Sequence, residues 1–190
     1  MNRLLKRATD VALALLALLV FGVPMVLIAL LVACTSPGPV VYWSERMGQH
    51  NCLFAMPKFR SMRTDTPELA THLLQDPHAW LTPVGRWLRR TSLDELPQLW
   101  SILRGDMSWV GPRPALHNQH DLISLRTDCG VHTLLPGLTG WAQINGRDDC
   151  SNAEKVALDA YYLKHQSWWL DMQILLTTVW HVLRGSGVAH

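Results

Sequence analysis

A stretch of 24 residues without a charged side chain, residues 11–34, constrains this chain more than any other feature. As one helix it would be about 36 Å long, enough to cross a hydrocarbon core of about 30 Å. Arg3, Lys6 and Arg7 precede it and favour a cytoplasmic N-terminus. A chain of 190 residues with this beginning is expected to form a membrane segment followed by a single further domain.

Local sequence leaves three interpretations of the apolar stretch open. The first is a single transmembrane helix, and local sequence favours it because such helices tolerate proline kinks. The second is a secretory signal, since residues 31–34 (Leu-Val-Ala-Cys) look like a lipoprotein cleavage site, although such signals have only roughly 7–15 apolar residues. The third is a helix–break–helix that enters and leaves one leaflet, because Pro24 removes a backbone donor and clashes with the carbonyl of Val20.

Composition narrows the class of protein further. Charged residues make up 17% of the chain, below the roughly 25% of soluble domains. A net charge of +2 argues against nucleic-acid binding. The nine tryptophans suit a membrane–water interface, although ordinary core packing explains them equally well. The cysteines form no C-x-x-C pair, and His117 and His120 lack an obvious third ligand, so no zinc site is expected.

Strand-forming residues after the apolar stretch predict a short β-hairpin. Residues 40–43 and 53–56 are rich in β-formers and are the expected partner strands. The hairpin opens an α/β, helix-rich domain that we assign to residues 35–190. Residues 1–34 are left as the membrane segment.

Helices are predicted for much of the remaining chain. Ser92 and Glu95 fit a capping box at the start of one helix, and Gly105 fits its C-terminal stop. The last helix is rich in tryptophan, which suits either the membrane interface or the face of a homodimer. Further helices are predicted at residues 66–75, 84–90, 115–125, 152–165 and 168–183, and a Gly- and Pro-rich loop at 136–146.

Asp94 and Glu95 form an acidic pair that is a candidate for chemistry. A structural role explains it as well, since acidic residues in the first turn complement the helix dipole. In a functional role, the same dipole would lower the pKa of the carboxyl group and keep it ionised. An ionised carboxylate can act as a nucleophile or bind Mg²⁺. Successive helical residues point in different directions, so the two side chains would have different tasks.

Several arginines occupy constrained positions. Arg60 belongs to a Pro-Lys-Phe-Arg string, Arg89 closely precedes the acidic pair, Arg147 follows Asn-Gly, and Arg113 lies between two prolines. These prolines restrict the backbone and reduce the entropy lost when the guanidinium of Arg113 is held in one place. Guanidinium groups bind phosphate in bidentate fashion. Solubility explains any single arginine, but the set, the acidic pair and the membrane segment together indicate phosphate chemistry at a membrane surface.

Short strings in a fixed order over nearly the whole chain resemble the bacterial sugar transferases, in particular the small monotopic phosphoglycosyl transferases. The agreement of all the strings in order is far more specific than any one of them. The matching strings are residues 36–39 (SPGP), 58–62 (KFRSM), 92–99 (SLDELPQL), 105–108 (GDMS), 111–114 (GPRP), 136–143 (PGLTGWAQ), 146–147 (GR), 159–162 (DAYY) and 170–171 (LD).

This resemblance implies an activity and a role for each candidate residue. In that family a UDP-sugar donates a phosphosugar to polyprenyl (undecaprenyl) phosphate with release of UMP, which begins the assembly of a surface glycan such as exopolysaccharide. Asp94 would attack the β-phosphate, carry the phosphosugar covalently and bind Mg²⁺, and Glu95 would be its catalytic partner. Four arginines would bind substrate phosphates: Arg60, Arg89, Arg113 and Arg147.

The resemblance also favours the third interpretation of the apolar stretch. The anchor of the family is a re-entrant helix–break–helix, and here the break would fall at Val23 and Pro24. Sugar nucleotides are cytosolic, so both ends of residues 11–34 are expected at the cytoplasmic face of the bacterial inner membrane, among membrane lipids. We expect the small, nearly minimal catalytic form of the family. The alternatives are a glycosyl transferase that releases UDP and a membrane-attached binding module.

Overall fold

The computed structural model describes residues 2–67, 76–146 and 150–184. Within these residues two two-stranded sheets are surrounded by helices, in agreement with a helix-rich α/β domain. The helices are α1 (Arg3–Thr35), α2 (Gly85–Arg90), α3 (Leu99–Arg104), α4 (His120–Asp128), α5 (Trp141–Asn145), α6 (Asn152–His165) and α7 (Trp168–Arg184). The strands are β1 (Val41–Met47), β2 (Leu53–Phe59), β3 (Ser108–Val110) and β4 (Gly137–Thr139).

The predicted hairpin is confirmed. β1 and β2 pair antiparallel over their full length, from Val41 opposite Phe59 to Met47 opposite Leu53. β3 and β4 form a separate parallel pair. The strand β4 and the helix α5 correct the prediction of a plain loop at residues 136–146, because pairing with the distant β3 organises a segment whose composition looks irregular.

Several predicted helices have the expected position, and others do not. α6 begins at a capping box formed by Ser151 and Glu154, and α3 ends at Gly105, whose φ of 95° suits glycine. The helix predicted at 115–125 begins only at His120, because the preceding residues contact the end of β1 instead. Most of the helix predicted at residues 66–75 lies outside the described residues.

The apolar segment is a single helix, α1, with Pro24 inside it. At Val23 and Pro24, where the sequence predicts a break between two helices, the helical backbone continues. Proline deprives the carbonyl of Val20 of its usual donor, and a helix tolerates one such loss when neighbouring segments support it on both sides. By length and composition alone, α1 is able to cross a membrane.

The N-terminal part of α1 is fastened to the rest of the chain by buried polar contacts. Lys6 forms a 2.8 Å ion pair with Asp171 of α7. Arg7 donates to the carbonyls of Ile102 and Leu103 at 2.5 and 2.6 Å, so that it caps the C-terminal end of α3. Asp10, which is 4% exposed, accepts from Ser108 and Trp109 near β3, a role that the sequence did not indicate.

Further along α1, one apolar stripe packs on the same domain. Ala14 packs with Met56 of β2 and with α3, whereas Ile28 and Val32 pack with Phe59 and Leu88 of α2. The opposite face of α1 is apolar and exposed, as Leu19 at 82% shows. α1 therefore contacts the rest of the chain along most of its length and leaves one apolar face uncovered.

Candidate active site

The acidic pair lies on a short 3₁₀ helix, Leu93–Gln98, directly before α3. The capping box predicted here is wrong. Ser92 has a φ of 55° and its side chain makes no cap, because a capping residue needs an extended backbone. Glu95 turns instead toward cations on other segments, which offer it charge-assisted hydrogen bonds.

Glu95 joins two cations that are distant in sequence. Its Oε1 accepts from Nζ of Lys58 on β2 at 2.7 Å and from Nη2 of Arg113 at 2.9 Å. Burial lowers the pKa of Lys58, and the neighbouring Glu95 opposes that effect. The side chain of Arg113 is 45% exposed, so it combines a contact to the buried acid with access from solvent.

Asp94 has an environment unlike that of an ordinary helix-capping acid. It is only 4% exposed, and its Oδ1 has no hydrogen-bond partner in the part of the chain that the structure describes. Burial raises the pKa of Asp94 to about 6, while Lys58, Arg89 and Arg113 act in the opposite direction and Glu95 reinforces the rise. The low pKa expected from a helix dipole is therefore wrong, because desolvation outweighs the field of one short helical turn.

The structure brings only some of the predicted arginines together. Arg89 on α2 and Arg113 are close enough to Asp94 to stabilise its charge. Arg60 is used elsewhere: it is 4% exposed, and its guanidinium donates to Ser36 and to the carbonyl of Pro39 just beyond α1. Arg147 lies outside the described residues.

Two cations of this region were absent from the residues selected from sequence. Lys58 stands opposite Tyr42 in the hairpin, and Arg46 follows on the same face as Ser44. Arg46 donates to Ser44 at 2.9 Å and to the carbonyl of Pro114 at 3.2 Å. Burial, helped by nearby Arg113, lowers the pKa of Arg46 to about 10. The available signal was the placement of Tyr42, Ser44 and Arg46 at a spacing of two, which puts them on one face of β1.

The site fits a magnesium ion that is held partly by substrate. Within the described ranges no three His, Cys, Asp or Glu side chains converge as a metal-binding group. Mg²⁺ is usually bound by one or two carboxylates, with phosphate oxygens and water completing its coordination. The unpartnered Oδ1 of buried Asp94 is such a donor. Together, two carboxylates and four cations (Lys58, Arg46, Arg89 and Arg113) make a site suited to binding phosphate groups and carrying out chemistry on them.

Comparison with known proteins places this arrangement in a family. The family model described as bacterial sugar transferase matches residues 1–185. The UDP-glucose:undecaprenyl-phosphate glucose-1-phosphate transferase of Escherichia coli K12 is 43% identical over 187 residues, covering 94% of this chain and 40% of the relative. The undecaprenyl-phosphate galactose phosphotransferase of Salmonella typhimurium is 36% identical, covering 98% of this chain and 42% of the relative.

A relative of similar size also matches. The uncharacterized sugar transferase EpsL of Bacillus subtilis is 40% identical, covering 97% of this chain and 90% of the relative. The chain spans about two fifths of the length of the Escherichia coli and Salmonella relatives. Since the family model covers nearly the entire sequence and the matches extend over all the segments that build the site, the chain belongs to the bacterial sugar transferase family.

Proposed function

We propose that the protein is a phosphoglycosyl transferase that moves a sugar 1-phosphate from a UDP-sugar to polyprenyl (undecaprenyl) phosphate and releases UMP. The observation that carries the proposal is buried Asp94, whose Oδ1 has no partner among the described residues, beside Glu95 and near Lys58, Arg89 and Arg113. The names of the Escherichia coli and Salmonella relatives, which describe sugar-phosphate transfer to undecaprenyl phosphate, support the same chemistry.

In the first step, a carboxylate oxygen of Asp94 attacks the β-phosphorus of the donor. The bond from this phosphorus to the bridging oxygen breaks, and UMP leaves with that oxygen and its electron pair. The phosphosugar is then held on Asp94 as an acyl phosphate. Burial favours this attack, because a carboxylate with a raised pKa is more basic and less shielded by water than an exposed one.

In the second step, an oxygen of polyprenyl phosphate attacks the same phosphorus. The phosphorus–oxygen bond to Asp94 breaks, which regenerates the carboxylate and leaves a polyprenyl diphosphate-linked sugar. Arg113 and Arg89 bind and orient phosphate oxygens, where charge develops. Glu95 fixes the two cations that it contacts, Lys58 and Arg113.

Magnesium is part of the proposal. Asp94 and the phosphates of the donor would hold the ion, with Glu95 next to them. When bound, Mg²⁺ supplies neutralisation of phosphoryl charge beyond that of the arginines. Each step above is otherwise carried by side chains of this chain.

The nucleotide that is released tests the reaction directly. Purified protein with Mg²⁺, undecaprenyl phosphate and a panel of UDP-sugars is expected to release UMP with one or a few donors. The panel is needed because the named relatives use different sugars, glucose and galactose. Release of UDP would indicate transfer of the sugar alone, and absence of any release from folded protein would favour a binding module.

We also propose that α1 enters and leaves the cytoplasmic leaflet of the inner membrane, so that the product can serve surface glycan assembly. Contacts of α1 with the rest of the domain support this topology: Lys6 binds Asp171 near its start, and Arg60 binds Ser36 just after its end. A helix that crossed the bilayer would carry one of these contacts to the other side. The exposed apolar face of α1 would contact lipid.

Cysteine labelling distinguishes the two topologies. Variants that keep only Cys34, at the end of α1, or only Cys52, in the hairpin loop, both expose their thiol in the structure. A membrane-impermeant maleimide is expected to label both in inverted inner-membrane vesicles and neither in spheroplasts. Labelling of both Cys34 and Cys52 in spheroplasts would show that α1 spans the membrane and carries the rest of the chain to the outer side.

A further inference from the structure

The segment that presents Arg113 is held by its backbone carbonyls. The carbonyl of Pro112 accepts from Gly137 N at 2.9 Å, that of Arg113 from Nη1 of Arg126 at 2.7 Å, and that of Pro114 from Nη1 of Arg46 at 3.2 Å. Prolines have no backbone N–H, so residues 112 and 114 cannot be fixed through donors. Carbonyl contacts are therefore the main means by which this segment is held in place.

One of these donors, Arg126 on α4, is itself fixed by a buried acid. Its Nε and Nη2 donate to Oδ2 of Asp159 on α6 at 3.0 and 2.7 Å. The two side chains are 12% and 2% exposed. Burial raises the pKa of Asp159, whereas Arg126 lowers it and so favours the charged pair. The remaining side of the guanidinium is directed at the carbonyl of Arg113.

We propose that Arg126 and Asp159 are positioning residues for Arg113. Asp159 orients the guanidinium of Arg126, Arg126 fixes the carbonyl of Arg113, and the Arg113 side chain is thereby held where it contacts Glu95. The inference rests on the proposed function, in which Arg113 binds a substrate phosphate. The inference gives Arg126 on α4 and Asp159 on α6 a role in the reaction, although neither belongs to the acidic pair or to the cations around it.

Two properties of the arrangement support a positioning role beyond the joining of two helices. α4 and α6 already pack through an apolar cluster of Leu122, Val156 and Ala115, so an ion pair is not needed to bring them together. A planar guanidinium can also bridge an acid and a carbonyl on opposite sides, whereas a point-like ammonium cannot reproduce both contacts. The arrangement therefore depends on the planar guanidinium with several donors, which arginine has and lysine lacks.

The most informative variant is Arg126→Lys, which keeps a positive charge beside Asp159 and loses the fork that reaches the carbonyl of Arg113. We expect kcat/KM for UMP release to fall roughly 10- to 100-fold, as for displaced positioning groups elsewhere. In an Arg113→Ala background the same substitution should change kcat/KM by less than about twofold. Arg104→Lys, at an exposed arginine that pairs with Asp106, is the matched control and should be neutral.

A chemical readout makes the inference independent of turnover. Phenylglyoxal modifies accessible arginines, and peptide mapping measures the rate at each position. In Arg126→Lys, modification of Arg113 should accelerate because its contact to Glu95 loosens, while the rate at Arg104 stays unchanged. If wild-type protein released no UMP, the proposed function would fail, and this comparison would still decide whether Arg126 positions Arg113.

A second variant tests whether misfolding explains the loss of activity. Arg126→Met with Asp159→Leu removes both charges together, so no buried charge is left unpaired. It is expected to fold and to show the same fall in kcat/KM and the same faster modification of Arg113. Two results would overturn the inference: an equal loss of kcat/KM in the wild-type and Arg113→Ala backgrounds, or an unchanged modification rate of Arg113. The ion pair of Arg126 and Asp159 would then only connect α4 with α6.

Discussion

Asp94→Asn protein is expected to remain folded and to lose its activity. Its rate of UMP release should be at least about 10⁴-fold below that of wild type. The amide has the shape of the carboxyl group and cannot attack phosphorus. Folding loses little, because Oδ1 of Asp94 has no hydrogen-bond partner within the described residues. Asp106→Asn, the same change in the partner of Arg104, is the matched control and should keep full activity.

The same variant has a stability signature that does not depend on turnover. The pKa of Asp94 is about 6 in the folded chain, above the 3.8 of a free side chain, so its ionisation disfavours folding as pH rises between these values. Measured in EDTA, the melting temperature of Asp94→Asn minus that of wild type should therefore increase from about pH 4 to about pH 6 and then level off. A difference that is constant with pH would contradict the buried environment of Asp94, and full activity would remove it as nucleophile.

Arg113→Ala is expected to lower kcat/KM by roughly 10²- to 10³-fold, the size of effect found when a group that stabilises developing charge is removed. Of the two cations that contact Glu95, Arg113 has the more exposed side chain, with 45% of its surface accessible against 16% for Lys58. Stability should change little, since Lys58 still pairs with Glu95 after the substitution.

Arg113→Lys separates charge from shape in this prediction. Lysine keeps a positive charge but cannot bind phosphate in bidentate fashion, so its kcat/KM should lie between those of wild type and Arg113→Ala. The assay is UMP release, with Arg104→Ala as a control on an exposed arginine outside the site. An unchanged rate in Arg113→Ala would exclude Arg113 from phosphate binding.

Structural features that depend on residues close together in the sequence were predicted well. The hairpin was visible from two runs of β-formers, and the helices predicted at residues 152–165 and 168–183 agree closely with α6 and α7. Asp94, Glu95 and Arg113 were selected from strings of adjacent residues, and the structure brings these three together. Such features depend on neighbours within a few positions, which a single sequence displays directly.

Which partners side chains from distant segments share became apparent from the fold alone. Arg60 and Arg113 were both candidates for phosphate binding, yet packing directs Arg60 to Ser36 beyond the end of α1 and Arg113 to Glu95. Lys58 enters the site only because β2 packs against the 3₁₀ helix that carries Glu95.

Burial is the second property that a string of residues does not contain. The sequence indicated a carboxylate with a low pKa at position 94, and enclosure by the fold raises the pKa of Asp94 to about 6. Composition and short strings of residues were enough to identify the apolar N-terminal segment, the helix-rich α/β class and the family of this chain. The fold decided which charges meet and how far they are removed from water, because both depend on segments that are far apart in the chain.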